Sequence, residues 1–392
     1  MLLMIPLSYN LRSLVARKGT TLASAFGIAL VVFVLSSSLM LSGGIKKTMG
    51  SSGSSENAVV LRKGADSELS STFETRLINL ILAAPGVKKD ETGAALGGGE
   101  AVIVIAVEKT GTAGKIANVL VRGVSDNVLK MRPEVKLIEG RLPQPGTDEV
   151  MLGKSVRGRY TGVDLNLSFE LKKNRKVQAV GIFDAGGSSF ESEIWAGVDT
   201  VKSSFGREGL VSSVTVQLES GSKYDAFKAT VESDKQLGLQ SFRESEYYSK
   251  ISSGTATFVS AIGIVITVFF SIGAMIGAAI TMYAAVAQRR REIGTLQALG
   301  FTRRAVLSSM LVESIVLATV GGLVGAVASL FMGFVKISMM NFATWQEVSF
   351  SFTPDPGQIL ISLALGGVMG VVGGFFPALS ASRTNPVIAM RA

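Results

Sequence analysis

Four stretches of the chain run without charge for longer than the roughly 20 helical residues needed to cross a bilayer. The first, residues 19–45, lies between Lys18 and Lys46 and has the core AFGIALVVFVLSSSLML. The second covers 251–288. The third covers 305–335, interrupted only by Glu313, and the fourth covers 356–382 and stops at Arg383. This pattern predicts four transmembrane α-helices. The second run is too long for one plain span, because 38 helical residues extend about 57 Å against a hydrocarbon core of ~30 Å. It opens on the polar string ISSGTAT, so the helix is expected to continue past the outer leaflet as a stalk. The first run exceeds the apolar core of a secretory signal and has 18 residues before it, which predicts an uncleaved anchor.

Between the first two runs, residues 46–250 change to a different rhythm. KKTMGSSGSSEN reads as a low-complexity linker. After it, AVVLRKG, AVIVIAVEK, NVLVRGV, DEVMLG, VDLNLSFEL, KVQAVGIF, SEIWAGV and SSVTVQL read as short strands bounded by Gly, Asp and Asn. STFETRLINLILAAPGV predicts an amphipathic helix ended by Pro85-Gly86, and YDAFKATVESDKQL predicts another with Phe227 and Val231 on one face. The fold class that follows is a membrane protein of four transmembrane helices with a large α+β extracytoplasmic domain between spans one and two.

Charge fixes the expected orientation. Arg12, Arg17 and Lys18 precede the first span, Arg289, Arg290, Arg291, Arg303 and Arg304 lie between the second and third, and Arg383 and Arg391 follow the fourth. Only Glu292 opposes them, so the positive-inside bias places both termini in the cytoplasm. Segment 46–250 is close to neutral, with 28 basic and 26 acidic residues. Most of the formal charge of +9 is therefore a topology signal, and nucleic acid is not an expected partner.

The chain has no histidine and no cysteine. That removes the commonest metal ligands, the usual nucleophile–histidine systems and any disulfide framework, so no metal site, catalytic residue or cofactor site is expected in this chain. Glu191 and Glu193 in SFESEIW read as a solvated strand face and not as an acid/base dyad. Gly153-Lys154-Ser155 invites a phosphate-loop reading, but Asp148 stands where that loop needs glycine, and a carboxylate there repels phosphate.

Glycines four apart recur in the spans: Gly273 with Gly277, Gly321 with Gly325, Gly366 with Gly370, and Gly370 with Gly374. Such spacing lets helix backbones approach closely in lipid, so these pairs are read as packing seams. Glu313 is the one acid inside a span, nine residues after Arg304, and is read as a salt-bridge or helix-terminal group more than a proton relay. The stretch QRRREIGTLQALGFTRRAVLSSMLVE begins with basic residues at a membrane exit and continues as a short helix carrying Ile293, Leu296, Leu299 and Phe301. Gly300 then permits a turn before Arg303 and Arg304. An apolar-tipped, positively flanked knob of this kind is expected to dock a partner.

These residues resemble a known family. Ala287, Arg289, Arg291, Glu292, Ile293, Gly294, Leu296, Ala298, Leu299, Gly300 and Val306, followed by Glu313, match the FtsX-like permease domain of MacB-type ABC transporters. Pro377, Ala378, Ala381, Pro386, Ala389 and Arg391 are similar to that family's C-terminal ending, with Met390 in place of its usual Leu. LSYNLRSLVARKGTTLASAFGIAL resembles its amphipathic entry helix and first span, and VKLIEGRLP, DEVMLGKSV and VQAVGIFDA resemble its periplasmic domain.

The resemblance implies a domain order of cytoplasmic entry helix 1–18, span 19–45, periplasmic domain 46–250, stalk and span 251–288, coupling segment 289–304, span 305–335, periplasmic loop 336–355, span 356–382 and cytoplasmic tail 383–392. It implies a permease subunit in a bacterial inner membrane, bathed in lipid and paired with a second copy or a paralogue. No ATPase is fused to this sequence, so ATP and Mg are expected on a separate cytoplasmic ABC ATPase. That partner would seat on Arg289, Arg290, Arg291, Glu292, Ile293, Gly294, Leu296, Ala298, Leu299, Gly300, Phe301, Arg303 and Arg304. The implied work is mechanotransmission that extrudes or extracts lipoprotein, lipid, peptide or small toxic molecules, with a periplasmic adaptor and outer-membrane channel as further partners. The rival expectation is an FtsX-like signal transmitter controlling a periplasmic partner such as a cell-wall hydrolase.

Overall fold

The computed structural model describes residues 18–112, 114–233 and 237–383. The expected entry helix, apart from Lys18, and the tail residues Pro386, Ala389, Met390 and Arg391 lie outside them. The chain divides into two compact units. One comprises the chain up to Gly43, Phe258–Val335 and the chain from Ser351; the other comprises Gly44–Thr257 and Lys336–Phe350.

Four helices, which contribute most of their length to the first unit, are long and apolar enough to cross a membrane. They are Lys18–Gly50, Glu244–Gln288, Arg303–Leu330 (continued by a 3-10 turn to Phe334) and Pro356–Ser382. Thr302 caps the third by accepting from the Ala305 amide, and Asp355 caps the fourth by accepting from the Gly357 amide, with Pro356 at the first turn. Ile28, Val31, Val32, Ala318, Ala326 and Met369 pack where the first, third and fourth helices meet. Large apolar side chains such as Phe269 and Leu360 point outward, as lipid-facing residues do.

The second unit is built on strands β1 (Asn57–Arg62), β2 (Phe73–Glu74), β3 (Gly97–Glu108), β4 (Ile116–Val124), β5 (Lys136–Gly140), β6 (Glu149–Gly153) and β7 (Ser168–Lys172). It continues through β8 (Arg175–Asp184), β9 (Glu193–Gly197), β10 (Leu210–Val211), β11 (Ser213–Gln217), β12 (Leu239–Arg243), β13 (Lys336–Met340) and β14 (Glu347–Ser351, whose last residue the division gives to the other unit). Ten strands form one sheet in the order β12-β1-β11-β3-β4-β9-β6-β8-β5, with β7 added against β8. β4–β9 and β6–β8 pair in parallel and the other ladders are antiparallel. Helix Tyr224–Ser233 buries Phe227 and Val231 against the β1–β11–β12 end, and helix Val198–Phe205 covers the β3–β4 region with Val201.

Several expectations need correction. The helix expected over 71–87 is confined to Leu77–Leu82. Phe73–Glu74 instead pairs with Leu210–Val211, and Gly86, at φ +87°, turns the chain out. The short helix lies close on β3, where a Cβ on Gly99 would come within 2.6 Å of Ile78 Cδ1, so glycine there permits the approach. KKTMGSSGSSEN is no simple linker: Lys46–Gly50 prolong the first span helix, and buried Ser52 hydrogen-bonds Ser189 at 2.8 Å. The stalk helix starts at Glu244, before the uncharged run begins, because charged residues tolerated by a buried polar pocket extend it. Residues 336–355 are more than a loop, since β13 and β14 form a hairpin whose Glu347 meets Lys109 and Arg159 in the second unit. Finally, Glu191 and Glu193 are buried, not solvated.

Candidate functional site

In a strand successive side chains point to opposite faces. β3, β4 and β9 turn Ala101, Ile103, Val119, Val121, Ile194 and Ala196 into one apolar cluster. The same alternation sends Glu100, Arg122, Glu193 and Trp195 to the other face, where all four are buried. Arg122 there makes a two-pronged contact with Glu193, Nε to Oε2 at 2.8 Å and Nη2 to Oε1 at 3.1 Å. It also donates to Glu68 at 2.8 Å and to Glu100 at 2.6 Å. Trp195 Nε1 and Ser213 Oγ complete the carboxylates of Glu193 and Glu68.

A second guanidinium extends this cluster to the root of the second span helix. Arg132 donates Nε and Nη2 to Glu244 Oε1 at 3.0 and 2.7 Å, and its Nη1 lies 2.8 Å from Glu100 Oε1. Glu244 is the first residue of the helix, and its other oxygen accepts from Asn57 Nδ2 at 2.8 Å and from the Ser54 amide at 3.1 Å. Ser54 follows shortly after the first span helix ends. One carboxylate thus ties the exit of the first helix to the start of the second. Phe190 stacks under both cations, 4.7 Å from Arg132 and 5.5 Å from Arg122, and Tyr247 and Tyr248 close the cluster from the next turn.

Four carboxylates share two guanidiniums, and their proton affinities separate. Burial raises the Glu193 carboxyl above its usual value against the pull of Arg122. Burial also pushes Glu100 up, but Arg132 and Arg122 together bring it below the ordinary carboxylate range. The two guanidiniums hold the four carboxylates in fixed positions. The sequence reading missed Arg122, Arg132, Glu68, Glu100 and Glu244. The available signal was a charge set inside an otherwise apolar strand, as in NVLVRGV and GGGEAVIV.

At its other end the second span helix stops at Gln288, and helix Arg290–Ala298 follows at once. Leu299 and Phe301 amides bond back to Thr295 and Leu296, and Gly300 takes φ +100°, which ends the short helix before Thr302. Arg290, Arg291, Glu292, Ala298, Leu299, Gly300, Arg303 and Arg304 are exposed, with Leu299 70% accessible, while Leu296 and Phe301 are partly covered. Ile293 and Gly294 face inward, Ile293 packing with Met282, Val286, Val306, Met310, Ala378 and Ala381. So Ile293 is a seat for the segment and not part of its outer surface. Arg289 is also turned in, bonding Glu292 at 3.0 Å and the buried Glu313 at 3.3 Å.

The glycines divide. A Cβ on Gly321 or Gly325 would come within 2.5 and 2.2 Å of the Ala25 and Ala29 carbonyl oxygens, so the third helix touches the first backbone to backbone. Gly370 and Gly374 bring the fourth helix against Ala318 and Ser314, and Gly366 meets Val32. Gly273 and Gly277 have nothing within 4 Å and line an open groove with Phe269 and Phe270, so they form no seam among the described residues.

The MacB-like periplasmic core domain family matches residues 20–234, and the FtsX-like permease C-terminal family matches 264–386. The chain is 30% identical to the ABC transporter permease YknZ of Bacillus subtilis over 231 residues, 55% of this chain and 54% of that protein. It is 29% identical to the permease MJ1507 of Methanocaldococcus jannaschii over 229 residues, 56% of each chain. With the macrolide export ATP-binding/permease protein MacB of Burkholderia thailandensis it shares 26% over 293 residues, 70% of this chain and 43% of that one. The chain thus spans about half the length of these curated relatives. Among solved structures, the extracellular domain of YknZ aligns with TM-score 0.35 and 17% identity over 47% of this chain and 99% of that one. The periplasmic region of MacB from Actinobacillus actinomycetemcomitans aligns with TM-score 0.37 and 12% identity over 53% and 98%.

Proposed function

The chain belongs to the permease family that joins a MacB-like periplasmic core domain to an FtsX-like C-terminal region, and on that premise we propose that it is the membrane subunit of an ABC transporter working by mechanotransmission. The observation that carries this reading is the unbroken helix Glu244–Gln288, 45 residues and about 67 Å long. It is rooted at one end by Arg132 on Glu244 and meets the short basic helix at the other.

In this reading a separate cytoplasmic ATPase, carrying ATP and Mg, docks on exposed Leu299 and the arginines around it. Nucleotide-driven closure of two such subunits shifts the segment Arg289–Arg304, and the long helix carries the displacement to its rooted end. A stiff helix suits this role because bending it breaks backbone hydrogen bonds. The protein sits in a bacterial inner membrane with both termini inside, pairs with a second copy or a paralogue, and hands its load to an adaptor and outer-membrane channel. Its substrates are lipoprotein, lipid, peptide or small toxic molecules, the last in keeping with the export named for the MacB relative.

The test is purification of the tagged full chain from its native host, beside the variants Leu299→Asp and Arg303→Glu, with mass spectrometry of bound chains. Recovery of a phosphate-loop ATPase with the unmodified chain, and its loss from both variants, is the expected result. An ATPase absent from every sample, or retained equally by all three, overturns the docking assignment.

A further inference from the structure

The inter-span unit carries a cavity of about 600 Å³ whose lining has a marked chemical bias. Lys154, Arg157, Arg159 and Lys336 all line it, and no carboxylate does. Three hydroxyls, of Ser155, Ser338 and Ser349, stand among the cations. The Lys154 and Ser155 of the rejected phosphate-loop string are thus two of its walls.

The acids that balance these cations sit outside the lining. Lys154 pairs with Asp184 at 2.7 Å and Glu191 at 2.9 Å, Arg157 with Glu139 and Asp164, and Arg159 with Glu347 at 3.0 Å. These pairs engage three of the four cations and partly offset their charge. Lys336 has no acidic partner among the described residues and is exposed. Guanidinium forks and an ammonium beside serine hydroxyls are the donor set that phosphate oxygens accept best. The volume falls in the range of small-molecule sites and far exceeds one inorganic phosphate. Two isoleucines, Ile138 at 55% exposure and buried Ile182, add an apolar wall. Lys336 follows Phe334, the end of the third span's terminal turn, by two residues in the chain.

We infer that this cavity binds the phosphate group of an anionic amphiphile, its oxygens on Arg157, Lys336 and the serines and its apolar part along Ile138. This goes beyond the transport reading and requires no ATPase.

The probe is dihexanoyl phosphatidic acid, titrated below its micelle concentration into the purified full chain in a neutral detergent and followed by calorimetry. Inorganic phosphate and dihexanoylglycerol are run in parallel. The short lipid is expected to bind and the neutral glyceride not. Lys336→Gln and Arg157→Gln should each weaken binding at least fivefold, about 1 kcal/mol. Ser338→Ala should weaken it less, and Lys130→Gln, at a residue that pairs with Asp90 and does not line the cavity, should leave it unchanged. Inorganic phosphate binding as tightly as the lipid overturns the amphiphile and leaves an anion site. Absence of lipid binding, or binding unchanged by both cation substitutions, overturns the site itself.

Discussion

Arg132 holds Glu244 through two hydrogen bonds to a single carboxylate oxygen, with both side chains fully shielded from solvent. The residues are 112 positions apart, and the second of them opens the longest helix among the described residues. Through Glu244 the start of that helix is fastened to Asn57, Ser54 and the Arg132–Glu100 contact at once. This carboxylate therefore fixes the start of the helix to the strands and loops around it. Exposed pairs such as Arg141–Glu149 have no comparable surroundings.

Removing one partner of a buried pair strands the other charge. Glu244→Ala and Arg132→Ala should each lower stability by about 3–5 kcal/mol. Arg141→Ala, at an exposed pair, should cost far less, because solvent screens the interaction. Thermal unfolding of the full chain in detergent ranks the three. Equal losses for Arg132→Ala and Arg141→Ala would remove the distinction drawn between the two sites.

The protonation of Glu193 gives a pH signature. Burial raises its carboxyl above the usual 4.5, so the folded chain holds this proton more tightly than the unfolded chain. Its contribution is complete below about pH 4.5 and fades as pH rises through the folded value. Glu193→Gln keeps the neutral form at every pH. The stability of the variant relative to the natural chain should therefore rise as pH increases above about 4.5, as measured by unfolding midpoints. A flat or falling difference contradicts the assignment.

Glu313 and Arg289 form a buried pair among the apolar helices, with Glu292 as a second partner of the arginine. Glu313→Leu alone should destabilise by about 3–5 kcal/mol. The double change Glu313→Leu with Arg289→Leu should recover most of that loss, since well-packed apolar residues replace such pairs at little cost. Melting curves of the single and double variants in detergent decide this. A double variant no better than the single one would show that the pair does more than neutralise itself.

The two glycine classes should separate cleanly. Gly325→Ala drives a methyl to 2.2 Å from the Ala29 carbonyl oxygen, so the third helix must shift, at a cost of about 1–3 kcal/mol. Gly277→Ala meets nothing within 4 Å and should be neutral or slightly stabilising in a helix. Monodispersity after heating, followed by size-exclusion chromatography, reads both. A tolerant Gly325 would place the first and third helices further apart than the structure has them.

The sequence alone determined the four spans, because crossing a bilayer demands an uninterrupted apolar length and local composition reveals it. It also determined most strands, whose alternation is a local property, and the basic segment from Arg289 to Arg304. The extent of each element was less legible. Lys46–Gly50 and Glu244–Lys250 are polar, yet both are helical, because helix formation there depends on neighbours that local hydropathy does not register.

Only the tertiary structure decided where the charges go. Arg122 sits opposite Val102 on one side and Trp195 on the other, a register set by strands 20 and 73 positions away. Glu68, Glu100, Glu193 and Glu244 are brought to two arginines from four separate parts of the chain. Glu193 reads as a surface acid in its own segment, since a lone carboxylate is costly to bury. Its partner makes burial tolerable, and that partner is fixed by strand pairing over long separations. Hydrophobic length is written locally; the compensation of a buried charge is a property of the assembled fold.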